Sequence, residues 1–180
     1  RMILRHWPSA GMGLWTVFAF HVRDLGYGSD VVGYIGLVSI FGALIAAHVG
    51  GLSDVHGTLT TGSIGWFVAP LAFLVFLFAG GTLAGVTVGM GMFLIGAQTA
   101  QLSNLSRIFA MRDDARSRLN TLYMLLQYTG GAYGAIVCAW VFPVYGWSGA
   151  CLACLVHLSL IGLLLAWLRV HAQRAAVAAA

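Results

Sequence analysis

The sequence predicts an all-α membrane protein, a bundle of six transmembrane helices, and three observations carry that expectation. Of the 180 residues, 60% are hydrophobic and 8% charged, against roughly 25% charged in a soluble domain. Such a chain could not cover a surface facing water. The apolar residues fall in runs matching the roughly 17–25 residues that cross a hydrocarbon core. The arginines lie between those runs, and eight of the nine sit in alternate connections.

The runs place helices at about 7–23, 31–52, 62–79, 82–106, 119–142 and 148–170. The first, Ser9 to Val22, reaches spanning length when Trp7 and Pro8 begin it. The second is rich in glycine. The third carries no charge, and its Trp66, Phe67, Phe73, Phe76 and Phe78 point all round the helix, with Pro70 as a kink. That distribution predicts an outer helix facing lipid. The sixth is nearly as apolar, with His157 as its main exception, and Ala175–Ala180 reads as a frayed tail.

The connections alternate in charge. Asp24–Asp30, Gly80–Gly81 and Pro143–Trp147 form one set, and of the arginines only Arg23 belongs to it. The N-terminal segment, Ser53–Thr61, Arg107–Arg118 and the C-terminus form the other, holding Arg1, Arg5, Arg107, Arg112, Arg116, Arg118, Arg169 and Arg174. Short arginine-bearing loops stay cytoplasmic, so both termini are expected there, and the number of spans is expected to be even. The pI near 9.3 does not indicate nucleic acid, because the arginines are sparse and flank apolar runs. The chain starts with Arg1 rather than Met, which fits a piece of a longer protein.

Helices in lipid associate through small residues and hydrogen bonds, since lipid is as apolar as their side chains. Gly33, Gly36, Ile40, Ala43, Ala47, Gly51 and Asp54 fall along one side of the second helix, and this stripe predicts a helix–helix seam. Asn120, Tyr123, Gln127, Gly130, Gly131 and Gly134 share about a third of the fifth helix, and Gln98, Gln101 and Asn104 share an arc of the fourth. Side-chain amides left in lipid would be unsatisfied, so both arcs must face protein or water. They line an aqueous path or hold the helices together by hydrogen bonds; the pattern is compatible with either.

Ionisable groups inside a membrane are candidates for function. His21 titrates near neutral pH in the ordinary case, and it reads as a path residue or an interfacial one. His48 lies near the end of the second helix and reads as interfacial, and His157 as a packing residue. No Asp or Glu occupies the middle of a run. Cys138, Cys151 and Cys154 lie in apolar runs, and an odd count gives no disulfide framework. The C-x-x-C spacing of Cys151 and Cys154 falls inside a helix-length run, where small packing residues are the expected role. There is no G-x-x-x-x-G-K-[ST] loop, no H-E-x-x-H and no clustered metal site, so the sequence predicts neither an ATP-driven pump nor an enzyme, and no cofactor.

The loop after the second run reads Gly50-Gly-Leu-Ser-Asp54-Val-His-Gly57. It resembles the G-x-x-x-D-[RK]-x-G signature of the major facilitator superfamily, with Gly50, Asp54 and Gly57 in place and both expected cations replaced, by Val55 and Thr58. Asp114-Ala-Arg116-Ser-Arg118-Leu-Asn120 leads into Tyr123, Gly130, Gly131 and Gly134, with Gly146-Trp147 following, and is similar to the fifth-helix entry of a bacterial efflux-permease half. The resemblance implies half of a twelve-helix fold built of 3+3 inverted repeats, here the C-terminal half. It implies that the first, second, fourth and fifth helices line a central cavity. It also implies a conformational gate of Gly50, Asp54, Gly57, Arg116, Arg118 and Asn120, in which Asp54 acts on the N-terminus of the fifth helix and on Arg116 or Arg118.

On this basis the expected function is secondary transport of a small molecule by alternating access, in the efflux direction, in a bacterial inner membrane. Trp15, His21, Tyr34, Gln98, Gln101, Tyr123 and Gln127 are the candidate path residues, and they suit a neutral or amphipathic substrate. If protons drive transport, the essential carboxylate lies in the other half or His21 carries the proton. The implied partners are the bilayer, the substrate, and an N-terminal six-helix half of the same chain or a second copy. The rival expectations are a self-dimerising half-transporter and a non-transporting scaffold or enzyme subunit.

Overall fold

The computed structural model describes residues 8–37, 44, 58–110 and 113–178. Among them every regular element is helical: α1 is Pro8–Asp24, α2 is 29–37, α3 is Thr58–Ala79, α4 is Leu83–Phe109 and α5 is Asp113–Ala178. Among the described residues, two helices are long and apolar enough to cross a membrane, through Leu83–Ser106 and Ser117–Leu160. The expected second helix is described only over its first turns and at Leu44.

The helices outrun the apolar runs that announced them. α3 begins at Thr58, inside the expected loop, and α4 continues to Phe109. α5 starts at Asp113 rather than at 119 and ends at Ala178, so the expected frayed tail is helical over its described part, 175–178. The reason is that backbone hydrogen bonding continues past the last apolar residue once a helix is under way, because adding a residue is far easier than starting a new helix. At the start of α4 the boundary was legible. Thr82 adopts extended backbone, accepts from the Gly85 amide at 3.1 Å and donates to the Ala79 carbonyl at 3.0 Å, which makes it an N-cap.

α5 is two helices joined across Gly146, whose φ of 61° and ψ of −159° lie in a region open to glycine almost alone. Pro143 and the residues up to Tyr145 are helical, so the reversal comes at the glycine and not at the proline. The arms on either side fold back on each other. Cys138 and Cys154 approach to 3.6 Å between sulfurs, where a straight helix would separate residues 16 apart by about 24 Å. The rings of Tyr133 and His157, farther from the break, lie 5.7 Å apart.

The closest helix pairs are α1 with α5 and α3 with α4. Each is made by glycine. A Cβ on Gly13 would run into the Gly134 carbonyl and Cys138, and one on Gly65 would lie 2.8 Å from the Gly96 carbonyl oxygen. Backbones approach this closely only where side chains are missing. Of the seam expected on the second helix, Ile40, Ala43, Ala47, Gly51 and Asp54 lie outside the described residues; at Gly33 and Gly36 an added Cβ would meet nothing within 4 Å.

The third helix, expected as an outer helix facing lipid, has one exposed side and one buried side. Phe67 and Phe78 are exposed, but Ala69, Ala72, Phe73 and Phe76 are fully buried. Phe73 meets Phe93 edge-on at 5.7 Å and Phe76 at 5.9 Å. Gly65, Ala69 and Ala72 give α3 a small-residue side that brings it against α4, and the aromatics flanking that side go inward with it. Outside, Phe78, Trp140, Val144 and Tyr145 are widely exposed, a surface suited to lipid.

Candidate functional site

Two polar clusters stand out against this apolar background. The first gathers the end of α1, the α3–α4 turn and the break in α5. His21 is 8% exposed, and its Nε2 lies 2.8 Å from the Gly80 carbonyl oxygen, to which it donates. Its ring stacks on the indole of Trp147 with centroids 4.0 Å apart and planes 7° from parallel. Trp147 in turn donates from Nε1 to the Phe76 carbonyl at 3.1 Å and meets the Phe76 ring edge-on at 5.4 Å. Gly80 is glycine because a Cβ there would lie 2.5 Å from the indole Nε1. Two connections that the arginine pattern assigns to one side of the membrane, at Gly80 and Trp147, and the end of α1 that leads into the third therefore meet at one end of the molecule.

The second cluster lies on facing sides of α4 and the first arm of α5. Tyr123 is 2% exposed and hydrogen-bonds with Asn104, itself buried. One turn before Tyr123 and one turn after it, Asn120 Oδ1 and Gln127 Oε1 are buried with no hydrogen-bond partner. Gln98 and Gln101 are half-buried on α4. The hydroxyls on these helices do not share this state. Thr87, Ser103 and Thr129 each donate to the carbonyl four residues back, at 2.8, 2.9 and 2.7 Å, which satisfies them within their own helix. The carbonyls of a helix only accept, so they cannot satisfy an amide oxygen, and Asn120 and Gln127 are left with unmet acceptors on a shared face.

The remaining candidates are dispersed. Trp15 is partly exposed and edge-on to Phe18, and Tyr34 is 68% exposed on α2. His21 belongs to the first cluster, with Trp147 and Gly80 as its contacts, and not to the amide face. Of the expected gate, Gly50, Asp54 and Gly57 lie outside the described residues, as does the side chain of Arg116; Arg118 is exposed and Asn120 is on the amide face. Two features went unseen in the sequence. Trp147 read as a loop residue, and only the Gly-Trp pair at 146–147 signalled it. The Gly65–Ala69–Ala72 stripe was hidden among more conspicuous aromatics.

No family model matches the chain, and no solved structure matches it. Over 165 residues, 91% of the chain, it is 32% identical to the uncharacterized transporter YgaY of Escherichia coli, in strains K12 and O157:H7 alike, and it covers 42% of that protein. Over 145 residues, 79% of the chain, it is 24% identical to SCO4007 of Streptomyces coelicolor, also named as a transporter, of which it covers 34%. The chain thus spans about two fifths of the length of YgaY and a third of that of SCO4007. Its relatives bear transporter names, which supports a role in transport.

Proposed function

We propose that this chain is the C-terminal six-helix half of a twelve-helix secondary transporter of the major facilitator type, exporting a small neutral or amphipathic molecule across a bacterial inner membrane. The observation that supports this most is the pair of unmet acceptors, Asn120 Oδ1 and Gln127 Oε1, flanking Tyr123 on a buried face. An unpaired polar atom buried in an apolar medium costs roughly 1–3 kcal/mol. A structural hydrogen bond would have removed that cost; a path that receives water and substrate has to keep such groups available.

In this reading the bundle rocks against an N-terminal half, and substrate is held near the bilayer midplane. Gln98, Gln101, Tyr123 and Gln127 line the path, and Trp15 and Tyr34 present aromatic surface toward the other half. Gly50, Asp54, Gly57, Arg116, Arg118 and Asn120 form the cytoplasmic gate. The chain is not an enzyme and needs no cofactor. Both termini lie in the cytoplasm, and a carboxylate for proton coupling belongs to the other half.

Two measurements on the full-length protein test the proposal. Cysteines placed one at a time at Gln98 and Gln127, in a cysteine-free background, should react with an impermeant maleimide from either face of the membrane. Reaction from one face alone, or none, would point to a non-transporting module. Cysteines at Arg23 and Arg118 should label from opposite faces, and labelling from the same face would remove the six-span topology.

A further inference from the structure

We propose that the cleft between the two arms of α5 binds a small trivalent organoarsenical, an aryl compound carrying one soft centre, through the paired thiols of Cys138 and Cys154. The site does not depend on the transport reading; Cys138 lies about three turns along α5 from Gln127.

The cleft has a volume of about 230 Å³ and is lined by both arms, including Tyr133, Gly134, Val137, Cys138, Cys154 and His157. Its walls are mainly apolar. An apolar cavity of about 150 Å³ is enough for benzene, so one aryl group fits. On one wall the Cys138 and Cys154 sulfurs lie 3.6 Å apart, both buried and both thiols rather than a disulfide. The pairing is across the hairpin and not along the C-x-x-C sequence. Cys151, one turn before Cys154, is also buried but does not line the cleft.

The donor set selects the ligand. Among the described residues no group of three or more His, Cys, Asp or Glu side chains could hold a metal ion. Zinc is held by three or four protein ligands, so a two-thiol site does not suit it. Thiols favour soft centres. A trivalent arsenic bearing an aryl group has two valences left, and two apposed thiols fill them. With phenylarsine oxide, two S–H bonds and the arsenic–oxygen bond break, two arsenic–sulfur bonds form, and both protons leave with the oxygen as water. Arsenic stays trivalent, so no oxidant or reductant is needed. Tyr133 and Leu160 at the cleft are exposed, so the cleft opens to the surface of the bundle and an apolar neutral compound can enter it.

The test uses reduced full-length protein in detergent, with phenylarsine oxide as the probe and intact mass as the readout. One phenylarsenic group should bind beyond any retained by the Cys138→Ala/Cys154→Ala double variant. Removing either thiol alone should weaken binding about 100-fold, the loss expected when one arm of a two-point attachment is cut. Cys151→Ala should leave it unchanged, and ethanedithiol should strip the group where glutathione does not. A readout without substitution maps the thiols: after arsenical treatment and denaturation, a maleimide should label Cys151 and spare Cys138 and Cys154. Equal uptake by wild type and double variant overturns the proposal, as does labelling of Cys138 and Cys154 regardless of treatment. Loss of binding in Cys151→Ala comparable to that in Cys138→Ala also overturns it, by moving the site to the C-x-x-C pair.

Discussion

The cluster at His21 and the face at Gln127 are both polar islands in an apolar bundle, yet they are finished differently. At His21 the polar groups close on one another: imidazole to the Gly80 carbonyl, indole to the Phe76 carbonyl, and ring on ring between them. At Gln127 one pair is closed, Tyr123 with Asn104, and the acceptors on either side are open. A closed polar network contributes stability and fixes geometry, while an open one costs stability and is kept for another reason. The first island therefore reads as a clasp joining the end of α1 to two connections, the second as a surface awaiting a partner.

Stability measurements on the full-length protein in detergent can break this comparison. Trp147→Ala removes the stacking partner of His21, the donor to Phe76 and a large buried ring, and should cost about 3–5 kcal/mol. Gly146→Ala forces a side chain into the backbone conformation at the turn, at a cost of about 1–3 kcal/mol. His21→Leu leaves the Gly80 carbonyl without its side-chain donor, for a similar loss of about 1–3 kcal/mol. A double-mutant cycle on His21 and Trp147 should recover a coupling of about 0.5–1.5 kcal/mol from the stacked rings. Additive losses would mean the two side chains stabilise the end of the bundle separately.

The smallest expected change in stability is at the amide face. Gln127→Leu deletes an acceptor that has no partner, so stability should move by less than about 0.5 kcal/mol or rise. Two-sided maleimide access at Gln98 should persist in that variant, while any measured substrate flux should fall. If Gln127→Leu destabilised the protein as much as His21→Leu, the amide would be a structural bond and the distinction between the islands would disappear.

The clasp and the open face also differ in how far they could be read from sequence. The arcs at Asn120–Gln127 and Gln98–Asn104 follow from helical periodicity alone, because residues three and four apart share a face and amides cannot rest in lipid. The clasp joins His21 to residues 59 and 126 positions away, Gly80 and Trp147, and no local pattern encodes a contact between connections of different helices. The same limit applies to the glycine-rich sides of the helices. Glycine spacing marks a helix side that can be approached closely, but Gly33 and Gly36 meet open space while Gly13 and Gly65 meet neighbouring backbone.

Composition and run length by themselves determined an apolar all-helical chain, the approximate helix positions and the start of α4 near Thr82, because these depend on how each segment meets its solvent and on neighbours a turn away. Only the tertiary structure decided that α5 reverses at Gly146, that Phe73 and Phe76 turn inward, that Cys138 rather than Cys151 lies beside Cys154, and that Trp147 anchors one end. Each of these depends on which helix sides face each other, and close packing settles that between segments the sequence keeps far apart.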